Sequence, residues 1–213
     1  TGVQTCALPI SDGTGEILDK MATEVTNLHV VHRTGKLGIG SAHFEGINWA
    51  YNQGYKRLIT MDCDFTHPPN YIPNLLKAGT HHDIVVTSRY MHADSLEDWM
   101  WFRKLLTWTG HFLTTQLLRL KYDATGGFRL YNLEKIPQSL FSLVRSKSYS
   151  FLFESLFILN FNQHTIAEIP IKLPKRTYGH SKMRLSDALF SLRYLFSLFF
   201  YQISGNLYVG LTI

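Results

Sequence analysis

Two aspartates separated by one residue are the groups in this sequence most suited to chemistry. Asp62 and Asp64 flank Cys63 and follow the apolar run 57–61. If that run is a strand, both carboxylates lie at its carboxyl end, where open α/β sheets bind their ligands. Carboxylate oxygens suit Mg²⁺ or Mn²⁺, which take a few protein ligands together with substrate phosphates. The pattern predicts a divalent-cation site, and an aspartate-capped turn without a ligand is the alternative.

Basic residues on several predicted loops form a second candidate group. Arginine binds phosphate oxygens through a rigid fork, so a convergent set would hold a diphosphate and a second phosphate. Each residue taken alone is also compatible with a solvated surface charge. The candidates are Arg33, Lys36, Arg89, Arg103, Arg176 and Lys182. His67, before Pro68 and Pro69, is either a further ligand or a turn residue.

The elements that must position these groups alternate along the chain. Apolar runs predict strands, and helical periodicity with glycine ends predicts helices. The predicted strands are 28–32, 57–62, 83–89, 127–131 and 167–173, and the predicted helices are 41–53, 70–77, 101–120 and 150–162. Such alternation predicts an α/β sandwich around a largely parallel sheet. Pro170 favours an edge position for the last strand.

Composition and charge narrow the class of protein. With 213 residues, 45% hydrophobic and 17% charged, the chain is globular, and its two distant cysteines exclude a disulfide scaffold. Residues 1–100 carry 7 Lys or Arg against 11 Asp or Glu, whereas residues 101–213 carry 14 against 5. A basic second half suggests an anionic partner, either phosphorylated ligands, nucleic acid or a membrane surface. The absence of a basic helix or groove-reading motif speaks against nucleic acid.

The two ends of the chain differ from the middle. Residues 1–10 reproduce the translation of a sequencing-library adapter, so we expect residues 1–11 to be an artefact and the natural protein to begin upstream. Residues 195–213 carry no charge, and the helical segment before them has one apolar face. We expect residues 184–213 to associate with a membrane as an amphipathic helix. A core helix and a span cut short by the chain's end remain alternatives.

The order of motifs resembles one family. The motifs are Asp12-Gly13-Thr14, Arg33 to Gly38, Met61-Asp62-Cys63-Asp64, Ser88-Arg89-Tyr90, Gly127-Phe128-Arg129, Glu154, and Arg176 with Gly179, Ser181 and Lys182. Together, over residues 12–183, they resemble the polyprenyl-phosphate (dolichol-phosphate) mannosyltransferase group of the inverting glycosyltransferase family 2. The sequence departs from that pattern in lacking the first strand and its aspartates, and in having Gly126 before Gly127 where serine is usual.

The resemblance implies a GT-A fold, a three-layer sandwich around a mostly parallel mixed sheet, here truncated at its N-terminus. It implies a glycosyltransferase that moves mannose or glucose from GDP-mannose or UDP-glucose to a polyprenyl phosphate (dolichyl or undecaprenyl). The reaction would be a metal-assisted in-line displacement with inversion, at the cytoplasmic face of a membrane. A glycan or protein acceptor is the alternative.

The resemblance also implies residue roles. Asp62 and Asp64 would hold Mg²⁺ or Mn²⁺. Asp12, Lys36 and Cys63 would join them in binding the donor, and Arg89, Arg103, Thr107, Arg176 and Lys182 would bind the acceptor phosphate. Asp64, Arg89, Arg176 and Lys182 would be catalytic, and Glu154 would be structural or face the sugar. Because the first strand is absent, we expect the chain as written to bind its donor poorly.

Overall fold

The computed structural model describes residues 3–7, 13–92, 95–96, 101–174 and 185–203. Three of the predicted site residues, Asp12, Arg176 and Lys182, lie outside these ranges, as does the side chain of Arg103. The strands are β1 (Val3–Ala7), β2 (Leu28–His32), β3 (Arg57–Thr60), β4 (Ile84–Ser88), β5 (Arg129–Asn132) and β6 (Ile166–Pro170). The helices are α1 (Thr14–Glu24), α2 (Ile39–Asn52), α3 (Ile72–Ala78), α4 (Trp101–Leu118), α5 (Gln138–Ser142), α6 (Phe151–Phe161) and α7 (Leu185–Ile203). A short 3-10 helix (Pro69–Tyr71) precedes α3.

The strands form a mixed sheet. Four of them pair in the order β3-β5-β4-β6, with β5 antiparallel to both of its neighbours and β6 parallel to β4. β6 therefore lies at an edge, as Pro170 predicts. β1 and β2 form a separate parallel pair. Mixed pairing with helices between the strands agrees with the predicted fold class.

β1 differs from the expectation that the first strand is missing. Val3–Ala7 runs parallel to β2 in full register, from Val3 opposite Leu28 to Ala7 opposite His32. Strand pairing uses backbone groups that every residue except proline can offer in full, so this pairing requires no particular side chains. Residues 1–11 contain no acidic residue, so the strand does not supply the aspartates that the resemblance expects there.

Two apolar clusters lie on opposite faces of the sheet and give it three layers. Side chains of a strand point alternately to the two faces. In β4, Ile84 and Val86 pack into a cluster with α2 and α6, whereas Val85 packs into a cluster with Leu75 of α3. α6 is buried throughout from Phe151 to Leu159, which makes it the central helix of the larger cluster.

α7 has an apolar buried face and an apolar exposed one. Leu195 and Leu198 are buried in the larger cluster, and the helix packs against α4. Its exposed face carries Leu189, Phe196 and Phe200. Within the described ranges, none of the helices combines the length and the apolar character needed to cross a bilayer.

Candidate active site

The Asp62–Asp64 motif forms the turn that follows β3, at the carboxyl end of that strand. The Asp62 side chain is 45% exposed, and Cys63 is also exposed. The Oδ1 atom of Asp64 accepts hydrogen bonds from the backbone N–H of Thr66, at 3.1 Å, and from the Thr66 hydroxyl. Both carboxylates thus lie at the carboxyl end of β3, as predicted, and Thr66 orients the Asp64 carboxylate.

His67 lies behind this turn. The backbone N–H of Asp62 donates to His67 Nδ1 at 2.8 Å, and the ring stacks on Phe128 with centroids 5.1 Å apart. Burial lowers the pKa of His67, although the Asp62 and Asp64 carboxylates act in the opposite direction. Nδ1 lies 3.9 Å from Asp62 Oδ2, but a neutral ring whose Nδ1 accepts an N–H makes no ion pair there.

The chemistry of the turn fits a cation shared with a substrate. Among the described residues, no group of three or more His, Cys, Asp or Glu side chains is placed to hold a metal ion by itself. Two carboxylates are, however, enough for Mg²⁺ or Mn²⁺ when substrate phosphates complete the shell. Desolvation, together with Asp62 and Asp64, raises the pKa of the Cys63 thiol and keeps it protonated. Mg²⁺ and Mn²⁺ prefer oxygen ligands, so the two carboxylates suit them better than the Cys63 sulfur does.

Arg89, the residue after β4, is held by a buried carboxylate. Its Nε donates to Asp123 Oδ2 at 2.8 Å, its Nη2 donates to Asp123 Oδ1 at 2.6 Å and to the Thr125 hydroxyl, and its backbone N–H also reaches Oδ2. Burial lowers the pKa of Arg89, but the Asp123 charge outweighs it, so the pKa rises. In turn, burial raises the pKa of Asp123, but Arg89 lowers it further. Both groups are therefore ionised.

Glu168 of β6 supports this pair. Its Oε1 accepts the backbone N–H of Asp123 at 2.7 Å, and burial raises the pKa of Glu168. Sequence reasoning identified neither Asp123 nor Glu168. One signal was present for Asp123, because it is the only acidic residue between positions 101 and 133 and it precedes the Gly126-Gly127 pair.

Tyr90, the residue after Arg89, contacts α4. Its hydroxyl donates to the backbone oxygen of Thr107 at 3.1 Å, and its ring stacks on His111 with centroids 3.9 Å apart. Arg89 and Thr107, two of the residues predicted to bind the acceptor phosphate, are thus linked through Tyr90, while the Arg89 side chain itself is bonded to Asp123 and Thr125. Arg103 lies one helical turn before Thr107 on α4.

The loop before α2, which carries the predicted donor residue Lys36, packs tightly. Gly38 has a φ of 92°, and a Cβ added there would lie 2.2 Å from the backbone oxygen of Lys147. Arg33 is buried, with Nε donating to Glu45 at 2.8 Å and Nη2 donating to the Ser41 hydroxyl. Lys36 itself is exposed. Arg33 thus holds the start of α2, whereas Lys36 faces solvent.

Glu154 has a structural environment. It is fully buried, its Oε1 accepts from the backbone N–H of Arg145 at 3.0 Å and from the Tyr194 hydroxyl at 2.8 Å, and its Oε2 accepts from the N–H of Ser146 at 2.9 Å. These contacts join α6, the turn 145–148 and α7. Lys147, in the same turn, accepts the N–H of Ser41 at 3.2 Å. Of the two roles that the sequence leaves open, the contacts favour the structural one.

Arg129 lies in the interior beneath the Gly126-Gly127 turn, and the half-buried His43 lies beside Gly127. Arg129 is fully buried and donates to the backbone oxygens of Gly126, Leu152 and Ala124, each at 2.8 Å. His43 stacks on Phe151. Burial, the Arg129 charge and His67 lower the pKa of His43 to about 4. The half-buried His43 is therefore neutral at neutral pH.

Comparison with known proteins assigns the chain to a family. The model of glycosyl transferase family 2 matches residues 10–140. Undecaprenyl-phosphate mannosyltransferase of Micrococcus luteus is 35% identical over 173 residues, which are 81% of this chain and 71% of that protein. Polyprenol monophosphomannose synthase of Mycolicibacterium smegmatis is 33% identical over 187 residues, 85% of this chain and 71% of that protein.

Solved structures agree on the fold. Glucosyl-3-phosphoglycerate synthase from Mycobacterium tuberculosis, in complex with Mn²⁺, UDP-glucose and phosphoglyceric acid, superposes with a TM-score of 0.60. It is 16% identical, and the match covers 92% of this chain and 68% of that one. At that identity the likeness shows the fold alone, the nucleotide-diphospho-sugar transferase (GT-A) fold. The family match and the two relatives show more: the chain is a glycosyltransferase that belongs to glycosyl transferase family 2.

Proposed function

We propose that the chain transfers a sugar from a nucleotide-sugar donor to a polyprenyl phosphate. The observation that carries this proposal is that relatives 33–35% identical over most of the chain are named for polyprenyl-phosphate mannosyl transfer. Mannose is therefore the first sugar to test, with GDP-mannose as its donor. UDP-glucose, bound in the glucosyl-3-phosphoglycerate synthase structure, is the second donor to test.

Asp62 and Asp64 would hold the divalent cation of this reaction. Their carboxylates stand at the surface of the sheet's carboxyl edge, and Mn²⁺ accompanies the donor in the fold relative. A cation bound there neutralises negative charge on the leaving diphosphate. The exposed Lys36, on the loop before α2, would add a positive charge on the donor side.

Arg89 and Thr107 would lie on the acceptor side, with Arg103, Arg176 and Lys182. A phosphate acceptor is already anionic near neutral pH, so the reaction needs positioned cations more than a strong general base. Asp123 and Thr125 hold the Nε and Nη2 edge of Arg89, which fixes the direction of the guanidinium. The cations would align the phosphate oxygen for in-line displacement with inversion at the sugar.

The α4–α7 surface would face the membrane that holds the lipid acceptor. α4 exposes Trp101, Leu105, Trp108 and Phe112, and α7, packed against it, exposes Leu189, Phe196 and Phe200. Apolar side chains on the outer faces of two adjacent helices suit insertion at the headgroup level of a bilayer. We therefore propose peripheral binding to the cytoplasmic face of a membrane.

Residues 1–11 remain, in this proposal, foreign to the natural protein. Their match to an adapter supports it, and so does their lack of the acidic residues that the resemblance expects before Asp12. Replacing them with the natural upstream residues should tighten donor binding, as measured by titration with GDP-mannose and UDP-glucose. Equal affinity of both forms would contradict this part of the proposal.

The test of the function is a transfer assay on the protein with its natural N-terminal residues. Radiolabelled GDP-mannose or UDP-glucose is incubated with a polyprenyl phosphate and Mg²⁺ or Mn²⁺, and label is then extracted into organic solvent. We expect extractable label that is lost in Asp64→Ala and Arg176→Ala and kept in Glu134→Gln, which removes an exposed carboxylate elsewhere. If donor binds but no lipid is labelled, the acceptor is instead a glycan or protein.

A further inference from the structure

The turn that carries Asp62 and Asp64 is held by the two residues that end it. Thr66 binds the Asp64 carboxylate through its N–H and its hydroxyl, and His67 binds the main chain of Asp62 through Nδ1, at 2.8 Å. The two aspartates are therefore fixed in different ways, one at its carboxylate and the other at its backbone. The following residues, Pro68 and Pro69, have no N–H with which to make such contacts.

His67 Nδ1 accepts a hydrogen bond from the Asp62 N–H, and this excludes Nδ1 as a cation ligand. A ring nitrogen that accepts an N–H has its lone pair occupied, so the same nitrogen is not a cation ligand in this arrangement. The ring is also buried, 8% exposed, and stacked on Phe128, which precedes β5. The stack anchors His67 to the sheet, and the hydrogen bond anchors Asp62 to His67.

We infer that His67 is a positioning residue, which fixes the backbone at Asp62 so that the Asp62 and Asp64 carboxylates keep the spacing that a shared cation needs. The use of this spacing in sugar transfer rests on the proposed function. Groups that orient metal ligands without touching the metal typically change metal affinity by about 10- to 100-fold when they are removed. The hydrogen bond from the Asp62 N–H to His67 Nδ1 needs no bound ligand, so it can be tested on the protein alone.

Three variants separate the hydrogen bond from the bulk of the ring. Asn places its Oδ1 on Cγ, where His67 has Nδ1, so His67→Asn keeps an acceptor for the Asp62 N–H. His67→Leu keeps an apolar side chain of similar reach without the acceptor. His81→Leu, at an exposed histidine after α3, is the matched control. Thermal unfolding of each variant checks that it is folded.

Two readouts are measured on each variant: hydrogen exchange of the Asp62 amide, and Mn²⁺ affinity from the electron paramagnetic resonance signal of free Mn²⁺. We expect His67→Leu to speed Asp62 exchange at least tenfold and to weaken Mn²⁺ binding by about tenfold. His67→Asn should stay within about threefold of wild type in both. His81→Leu should match wild type.

Other outcomes overturn the inference. Mn²⁺ affinity that is unchanged in His67→Leu, or equally weak in His67→Leu and His67→Asn, would show that the acceptor does not position the carboxylates. Wild-type protein that binds Mn²⁺ neither alone nor with GDP present would overturn the proposed cation site together with the inference. The Mn²⁺ affinity of the wild type thus distinguishes failure of the proposed function from failure of the role of His67 alone.

Discussion

Acidic side chains occupy two contrasting regions of this molecule. Asp62, at the end of β3, is 45% exposed, whereas Asp123 and Glu154 are fully buried. A carboxylate inside a protein must be paired or hydrogen-bonded because its desolvation is costly. Asp123 accordingly binds Arg89, and Glu154 binds two backbone N–H groups and a tyrosine. The buried acids therefore stabilise the fold, while the surface pair is placed to meet a ligand.

The largest effect on stability should come from Asp123→Ala. Removing one partner of a buried pair leaves the other charge uncompensated, so we expect the free energy of unfolding to fall by about 3–5 kcal/mol. Urea denaturation measures it. Replacing both partners, as in Arg89→Met with Asp123→Leu, should restore part of the loss because no unpaired charge remains. A loss below about 1 kcal/mol for Asp123→Ala would contradict the structural role of the pair.

Glu154→Gln should have the next largest effect. The Gln amide donates where the carboxylate accepts, so a backbone N–H or the Tyr194 hydroxyl is left facing a donor, at a cost of about 1–3 kcal/mol in unfolding free energy. Tyr194→Phe removes a single donor and should cost less, about 0.5–1.5 kcal/mol. If Tyr194→Phe proved the more damaging in urea denaturation, Glu154 would not be the centre of these contacts.

The smallest effect concerns pH and His43. Its pKa is lowered to about 4 in the folded protein, so between pH 6.5 and 4 the unfolded chain binds a proton that the folded protein does not. The contribution of His43 to the free energy of unfolding is therefore largest above pH 6.5, and it falls as the pH is lowered towards 4. We expect wild type to lose about 1–2 kcal/mol more than His43→Gln between pH 7 and pH 5, measured by urea denaturation. Parallel pH profiles for the two proteins would rule this out.

Periodicity predicted the strands well where the backbone pairs regularly. β2 matches its predicted range, Leu28–His32, to the residue. The strand predicted over 57–62 ends at Thr60, because the Asp62 N–H is bonded to His67 rather than to a neighbouring strand. The strand predicted from residue 127 begins at Arg129, because the Arg129 and Thr60 side chains take the backbone oxygens of Gly126 and Gly127. Hydrogen bonds between side chains and the backbone set these strand ends, and the hydrophobic pattern of the sequence does not show such bonds.

Local sequence patterns predicted only part of the candidate site as well. The position of Asp62 and Asp64 at the end of a strand follows from local sequence. The partner of Arg89 does not, because Asp123 is 34 residues away and spacing alone cannot pair them. Glu154 is similar: its partner Tyr194 lies 40 residues further along the chain. Long-range pairs of this kind depend on the packing of helices and loops, which motif order does not describe.

The most direct test of this division between surface and buried acids combines two measurements on the double variant Asp62→Asn/Asp64→Asn. We expect its Mn²⁺ affinity to fall at least about 100-fold, because both hard oxygen ligands lose their charge. Its free energy of unfolding should stay within about 0.5 kcal/mol of wild type, as for other surface substitutions, and Glu134→Gln should change neither quantity. Retained Mn²⁺ binding, or a loss of several kcal/mol in stability, would contradict the account.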